Sequence, residues 1–372
     1  MTKRLPTLLV LLTLLGAPAP ALAVAGGATI DIATVPFTAS TTACTATLIA
    51  PDRLLTAAHC VEGTDPDRSY AIIGVDAHDV PSVPEAARYP LKGVSSAPGF
   101  KLAFPFAHWR PQNATAVNDV ALIVLARPAV GITPVAIAGP GDAALEQPGR
   151  QARLLGYGVL AARAGNPFPL PPALQAGSLE LIGRAQCLRA YPRAVQPTDL
   201  CAQDLGPGAL TQPCAGDSGG PLLADTPNGP VQIGVTSWGA EVKDKACGAA
   251  RLPAVWMRVS AFHAFLTNPN PVLAPHTSVR AARVKRGGYG GLTCIAPTFG
   301  GSPATVSYRW GVARFKGQLV PEMPHPITPI KGATKRTFRP GGAATRGKKI
   351  ACEVRARNAG GHWTVFSPSV AG

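Results

Sequence analysis

Few apolar runs in this chain travel far before a glycine or a proline stops them. Forty Gly and 39 Pro are spread through 372 residues, and no heptad, solenoid repeat or sustained helical period appears. Glycine gives up much conformational freedom when ordered, and proline removes a backbone donor, so both punctuate regular structure. The spacing therefore favours short strands and turns over long helices. ATLIA, RLLTAAHC, AIIGV, DVALIVLA, QARLLGYG, GSLELIG, VQIGVTSWG and AVWMRV read as strands bounded by turn residues. Behind the last of them, SAFHAFLTN sets Phe262, Phe265 and Leu266 on one side of a short amphipathic helix. The AGNPFPLPP stretch at 164–172 reads as a surface loop. An all-β architecture is expected.

A polar, proline-rich segment then divides the chain. NPNPVLAPHTS reads as a linker over 269–278, separating a domain at 24–268 from a smaller one at 279–372. Charge divides at the same place. Beyond residue 270, sixteen Lys and Arg stand against only Glu322 and Glu353, whereas 24–270 carries 17 basic and 18 acidic residues. In the basic part KIACEVRAR alternates, with Cys352 and Val354 facing one way and Glu353, Arg355 and Arg357 the other. The order Cys294, Trp310, Cys352 loosely resembles that of immunoglobulin-like domains. The position two before Cys352, commonly Tyr in such domains, is Ile350. A small β-sandwich pinned by Cys294–Cys352 is the expectation.

The first residues carry a secretion signal. Lys3 and Arg4 precede an apolar run from Leu8 to Leu15, and Ala21-Leu22-Ala23 forms a small-residue cleavage signal. The run is too short to span a bilayer, and Pro18 and Pro20 break it. Residues 1–23 are expected to be a signal peptide, and the mature chain to be secreted. Eight cysteines in an oxidising compartment then imply four disulfides, although their number alone does not choose the pairing. No C-x-x-C pair or histidine cluster suggests a metal, and no cofactor is expected.

Reactive chemistry concentrates around TQPCAGDSGGPLL, residues 211–223. A serine hydroxyl is a poor nucleophile unless a base takes its proton, so Ser218 needs a histidine. His78, His276 and His325 lie in polar or proline-rich loops, and His263 lies on the terminal helix. His59 ends an apolar strand beside Cys60, where a disulfide would hold it still. An imidazole base in turn needs an acid to fix its tautomer. Asp119 opens the apolar run DVALIVLA, a costly place for an unpartnered carboxylate.

With TAAHC, NDVALI and GDSGGP in the order His, Asp, Ser, residues 24–268 resemble the trypsin/chymotrypsin-like serine proteases. The resemblance implies two six-stranded antiparallel β-barrels with the active site between them. The whole chain is then expected to be two barrels followed by a small β-sandwich. It implies His59 as base and then acid, Asp119 as its orienting carboxylate and Ser218 as nucleophile. The N–H groups of Gly216 and Ser218 would form the oxyanion hole. By the same resemblance the disulfides would be Cys44–Cys60, Cys187–Cys201 and Cys214–Cys247, leaving Cys294–Cys352 for the second domain.

The family's new N-terminus ion-pairs with the Asp before the catalytic serine. Cleavage after Ala23 would expose Val24-Ala25-Gly26-Gly27 with Asp217 as that partner, so the signal cleavage itself would generate the active N-terminus. Gln212, with Pro213 beside it, stands where trypsin-type members carry an acidic residue at the base of the specificity pocket. Gly239 and Ala254 match its walls, Ser237 matches a polar neighbour of the triad Asp, and Trp238 belongs to the SWG edge that pairs with substrate backbone. Cleavage after uncharged, small-to-medium residues of protein or peptide substrates is expected. The alternative is an inactive protease-like adhesion protein, against which the intact His59, Asp119, Ser218 and Gly216 argue.

The basic domain has a separate implication. Its field would attract anionic cell-envelope polymers or a membrane surface. Sparse aromatics and the lack of a reader motif speak against specific nucleic-acid recognition. A monomer is expected.

Overall fold

A computed structural model describes residues 24–41, 44–76, 80–102, 116–159, 173–192, 195–207, 211–239, 252–279, 281–315 and 326–372. The expected signal at 1–23, the loop at 164–172, Cys247, His78 and His325 lie outside them. Among the described residues no helix is long and apolar enough to cross a membrane.

Six strands close the first barrel: β1 (Thr38–Ser40), β2 (Thr45–Ala50), β3 (Arg53–Thr56), β4 (Tyr70–Ile73), β5 (Arg88–Ser96) and β6 (Ala121–Leu125). Around the barrel they run β1-β2-β3-β6-β5-β4. The all-apolar ALIVL of β6 is buried on both faces, one inside the barrel and one against its neighbour.

The second barrel uses β7 (Gln151–Gly156), β8 (Gln175–Ile182), β9 (Asp199–Gln203), β10 (Pro221–Thr226), β11 (Gly229–Trp238) and β12 (Ala254–Arg258). They close in the order β7-β8-β9-β12-β11-β10, the strand order of the first barrel repeated. Leu55 and Leu122 of the first barrel share one apolar cluster with Leu154, Leu181, Ile233 and Trp256 of the second. That shared cluster fixes the barrels against each other and sets where their connecting loops meet. The helix expected after β12 is a short helical turn, Val259–Phe262, continued by α1 (His263–Leu266).

Residues 281–372 build two more sheets. One holds β13 (Arg283–Arg286), β14 (Leu292–Ile295) and β16 (Thr337–Phe338), with β14 central. The other is built on β15 (Thr305–Ala313), β17 (Lys349–Asn358) and β18 (Gly361–Phe366), with Ile327–Pro329 and Val370–Ala371 at its margins. Cys294 on β14 is disulfide-bonded to Cys352 on β17, with Trp310 fully buried beside them. Val354 is buried and Arg357 exposed, as the alternation of KIACEVRAR requires; Glu353 is buried as well, against Arg309 and Arg355.

The proline-rich stretch 269–278 does not hang free. Arg53 donates from both guanidinium ends to the carbonyls of Asn268 and Pro269 at 2.7 Å. Ala274 is buried and its N–H donates to the Val94 carbonyl at 2.7 Å. Asn358 donates to the Leu273 carbonyl at 2.8 Å, and the Ser96 N–H donates to the Gly360 carbonyl at 2.8 Å. The two C-terminal sheets are thereby seated against β5 of the first barrel.

Candidate active site

Each barrel sends residues into the gap between them. His59 sits on a helical turn, Ala58–Cys60, directly after β3, and Asp119 lies just ahead of β6. β3 and β6 are hydrogen-bonded neighbours, with Thr56 opposite Ala121, so their ends bring the two side chains together. Asp119 is fully buried and accepts three hydrogen bonds: from the His59 N–H at 2.8 Å, at His59 Nδ1 at 2.7 Å and from Ser237 Oγ at 2.6 Å. Three donors offset the cost of burying that carboxylate. Burial alone would push the imidazole's pKa down. The charge of Asp119 and its hydrogen bond, with a smaller contribution from Glu62, outweigh that and raise it above 6.5. Asp119 at Nδ1 fixes that nitrogen as donor and leaves Nε2 as the acceptor.

Ser218 comes from the loop ahead of β10. Its carbonyl accepts from the Thr45 N–H at 2.9 Å, while Thr45 Oγ1 donates to the Gly216 carbonyl at 3.0 Å. Thr45 follows Cys44, which is disulfide-bonded to Cys60, the residue after His59. One buried threonine therefore ties the serine loop to the histidine turn. Nothing in the sequence marked Thr45; its role depends on β2 lying beside a loop more than 150 residues away. Gly216 and Gly219 have φ of +100° and +79°, which side chains rarely adopt. A Cβ at 219 would also collide with Thr56, Thr45 and Ala57.

Asp217 is fully buried and in no ion pair among the described residues. It accepts from the Gly158 N–H at 2.8 Å and the Cys214 N–H at 2.7 Å. Burial pushes its pKa up to about 7, against the pull of those two donors. Gly156 and Gly158 leave it room, since a Cβ on either would strike its carboxyl. Val24 is also fully buried, in the apolar cluster of the second barrel. Beside it the Gln212 N–H donates to the Ala25 carbonyl at 3.0 Å.

The Gln212 amide donates to the Leu252 carbonyl at 2.8 Å, and Pro213 beside it is half-buried. Trp238 is buried edge-on to Tyr191, ring centroids 5.0 Å apart, and Tyr191 donates to the Pro253 carbonyl at 2.6 Å. Ala254 is buried, and a Cβ on Gly239 would come within 3.4 Å of its side chain. Tyr191, absent from the sequence reading, fastens the segment before Ala254.

Cys187–Cys201 is present, and Cys214 is disulfide-bonded, its expected partner Cys247 being outside the described residues. Among the described residues one group has metal-ligand spacing, Cys44, His59 and Cys60. Its two sulfurs are bonded to each other and offer no thiolate.

The Trypsin family model matches residues 25–266. Mouse kallikrein-1 is 31% identical over 227 residues, which cover 60% of this chain and 78% of its own. Human chymotrypsin-like elastase family member 3B is 32% identical over 225 residues, 59% of this chain and 75% of its own. Among solved structures, neuropsin, a serine protease expressed in the limbic system of mouse brain, superposes with a TM-score of 0.51 at 24% identity. That alignment covers 64% of this chain and 96% of neuropsin, and it speaks for the fold.

Proposed function

The chain belongs to the trypsin family of serine proteases, and we propose that it is a secreted, catalytically active endopeptidase working through an acyl-enzyme. The observation that carries this reading is the three-bond hold on buried Asp119, which engages His59 at its N–H and at Nδ1 and so leaves Nε2 as the acceptor. In the proposed cycle Nε2 of His59 takes the Ser218 hydroxyl proton as Oγ attacks the scissile carbonyl. The Gly216 and Ser218 N–H groups hold the resulting oxyanion. Each such donor is worth on the order of 10²–10³ in rate. The imidazolium, stabilised by Asp119, gives its proton to the leaving amine; water then hydrolyses the ester with His59 again as base.

Activation would follow removal of residues 1–23. The α-amino group then created at Val24 would be the cation that buried Asp217 lacks. A Gln at 212 supplies no charge to a buried Arg or Lys, which supports a preference for uncharged, small-to-medium residues before the scissile bond.

For the basic domain the reading is retention on an anionic envelope or membrane surface. It is supported by the outer face of the β13-β14-β16 sheet, where Arg283 and Lys285 are exposed and Lys335 and Arg339 flank β16. None of these four is in an ion pair with a described residue. A fluorophosphonate probe should label the secreted chain, and Ser218→Ala should abolish labelling. A chain that folds but is not labelled refutes the reading.

A further inference from the structure

The contact between the two parts of the chain leaves a cleft of about 490 Å³, and its position relates it to the triad. One wall is the turn after His59, including Glu62; another is Ala97–Phe100. The Ala97 N–H donates to the Val120 carbonyl at 2.8 Å, and Asn118 Nδ2 donates to the Pro98 carbonyl at 2.9 Å. Both walls are thus continuous with the backbone that carries His59 and Asp119. The remaining wall comes from the connector at Pro275 and from the β17-β18 hairpin, with Arg357, His362 and Trp363.

Charge in this cleft is one-sided. Arg357 and His362 are cross-strand partners, and Arg355 lies two residues along the same face of β17. Glu62 is the single carboxylate among the lining residues. It is already engaged, with its Oε1 3.1 Å from His362 Nε2. That hydrogen bond, opposed by burial and aided by the charges of His362 and Arg355, holds Glu62 below the usual carboxylate range. Arg357 is exposed and in no ion pair among the described residues. Phe100, Pro275 and Trp363 supply apolar surface beside this cation.

We propose that this cleft is a substrate-binding exosite made by both domains, and that it takes a peptide segment carrying a carboxylate next to an apolar side chain. The carboxylate pairs with Arg357, and the apolar side chain lies against Trp363 and Phe100. The basic domain is then part of the substrate-recognition surface, not only a tethered anchor. This inference rests on the protease reading above, and its test is separable from that reading.

The full chain carrying Ser218→Ala binds peptide without cutting it. Two labelled peptides are compared by fluorescence anisotropy, one with an Asp-Glu pair beside a Leu and one with Asn-Gln in their place. The acidic peptide should bind about tenfold more tightly at low salt. Arg357→Glu should erase that preference, and Arg357→Lys should keep most of it. Lys348→Glu makes the same change of charge at an exposed position outside the cleft and should leave the preference intact, because a cleft contact is local. Equal affinity for the two peptides, or equal loss with Lys348→Glu, overturns the proposal. Failure of the unmutated serine to react with fluorophosphonate would refute the protease reading alone, since peptide binding is measured without it.

Discussion

Buried Asp217 makes the chemistry of the Val24 amine measurable as stability. While residues precede Val24, no α-amino group exists there, and Asp217 has only two backbone donors to offset its burial. Its pKa is pushed up to about 7 in the folded chain from 3.8. A carboxylate raised in this way binds its proton more tightly when folded than when unfolded. Stability is therefore full below about pH 4 and is lost as pH rises through about 7. The shift corresponds to about 4 kcal/mol at neutral pH.

On the proposed pairing, a chain beginning at Val24 would set an ammonium of ordinary pKa about 8 opposite the carboxylate and should avoid most of that loss. Asp199, also pushed up to about 7 by burial, contributes a parallel decline in both forms, so the difference between forms is the informative quantity. Urea unfolding of Ser218→Ala chains, one extended before Val24 and one starting there, should be run from pH 4 to 8. The curves should coincide at pH 4 and diverge by several kcal/mol at pH 7. Asp217→Asn in the extended chain should remove the divergence. Parallel curves, or a divergence that survives Asp217→Asn, would refute the assignment of Val24 and Asp217 as partners.

Three further outcomes follow from the geometry. Because the His59 imidazole is raised above 6.5, the acid limb of kcat/KM should lie above that pH; Asp119→Asn should lower both the limb and kcat, the latter by about 10⁴. An unmoved limb in Asp119→Asn would contradict the coupling. Gly219→Ala forces a side chain into Thr56 and Thr45 at a φ of +79°, and should cost about 2–4 kcal/mol, read as a lowered urea midpoint, along with most activity. Replacing Cys294 and Cys352 together with Ala should cost the basic domain about 2–5 kcal/mol, and tryptophan fluorescence of buried Trp310 should report that loss.

Strand content was legible because it depends on local pattern, whereas the two barrels were expected only through the resemblance. DVALIVLA and VQIGVTSWG show apolar residues running between turn signals, and both became barrel strands buried along most of their length. The misfit of Asp119 within an apolar run was legible for a related reason: burial without a partner is expensive wherever the strand goes. What that carboxylate touches was less so. Ser237 was placed near it only through the resemblance, since no local pattern links positions 118 residues apart. Thr45 left no trace at all. A threonine in a strand is unremarkable until the fold sets the Ser218 loop against it, and here it holds the Gly216 and Ser218 carbonyls together. Gln212 was assigned to a pocket base only through the resemblance, and its amide bond to the Leu252 carbonyl depends on a chain crossing that spacing does not encode.

The segment 269–278 shows the limit most directly. Its prolines give it the composition of a linker, because proline-rich backbone cannot continue a strand or helix on its own. What composition does not reveal is that the segment is packed: Leu273 lies against Gly93, where a Cβ would clash at 2.8 Å, and the Ala274 N–H finds the Val94 carbonyl. A glycine in the middle of β5 thus makes room for the connector, and the β17-β18 turn meets the end of β5 where the Ser96 N–H donates to the Gly360 carbonyl. His362 belongs to a strand whose alternation reveals which face it occupies but not that Glu62 lies opposite it. Period-two patterning assigns faces within one sheet; the partner of a face is set by a contact between sheets far apart in sequence. The functional weight of the basic domain therefore cannot be inferred from its net charge alone. It depends on which of its cations face the protease, as Arg357 does, and which face away, as Lys285 does.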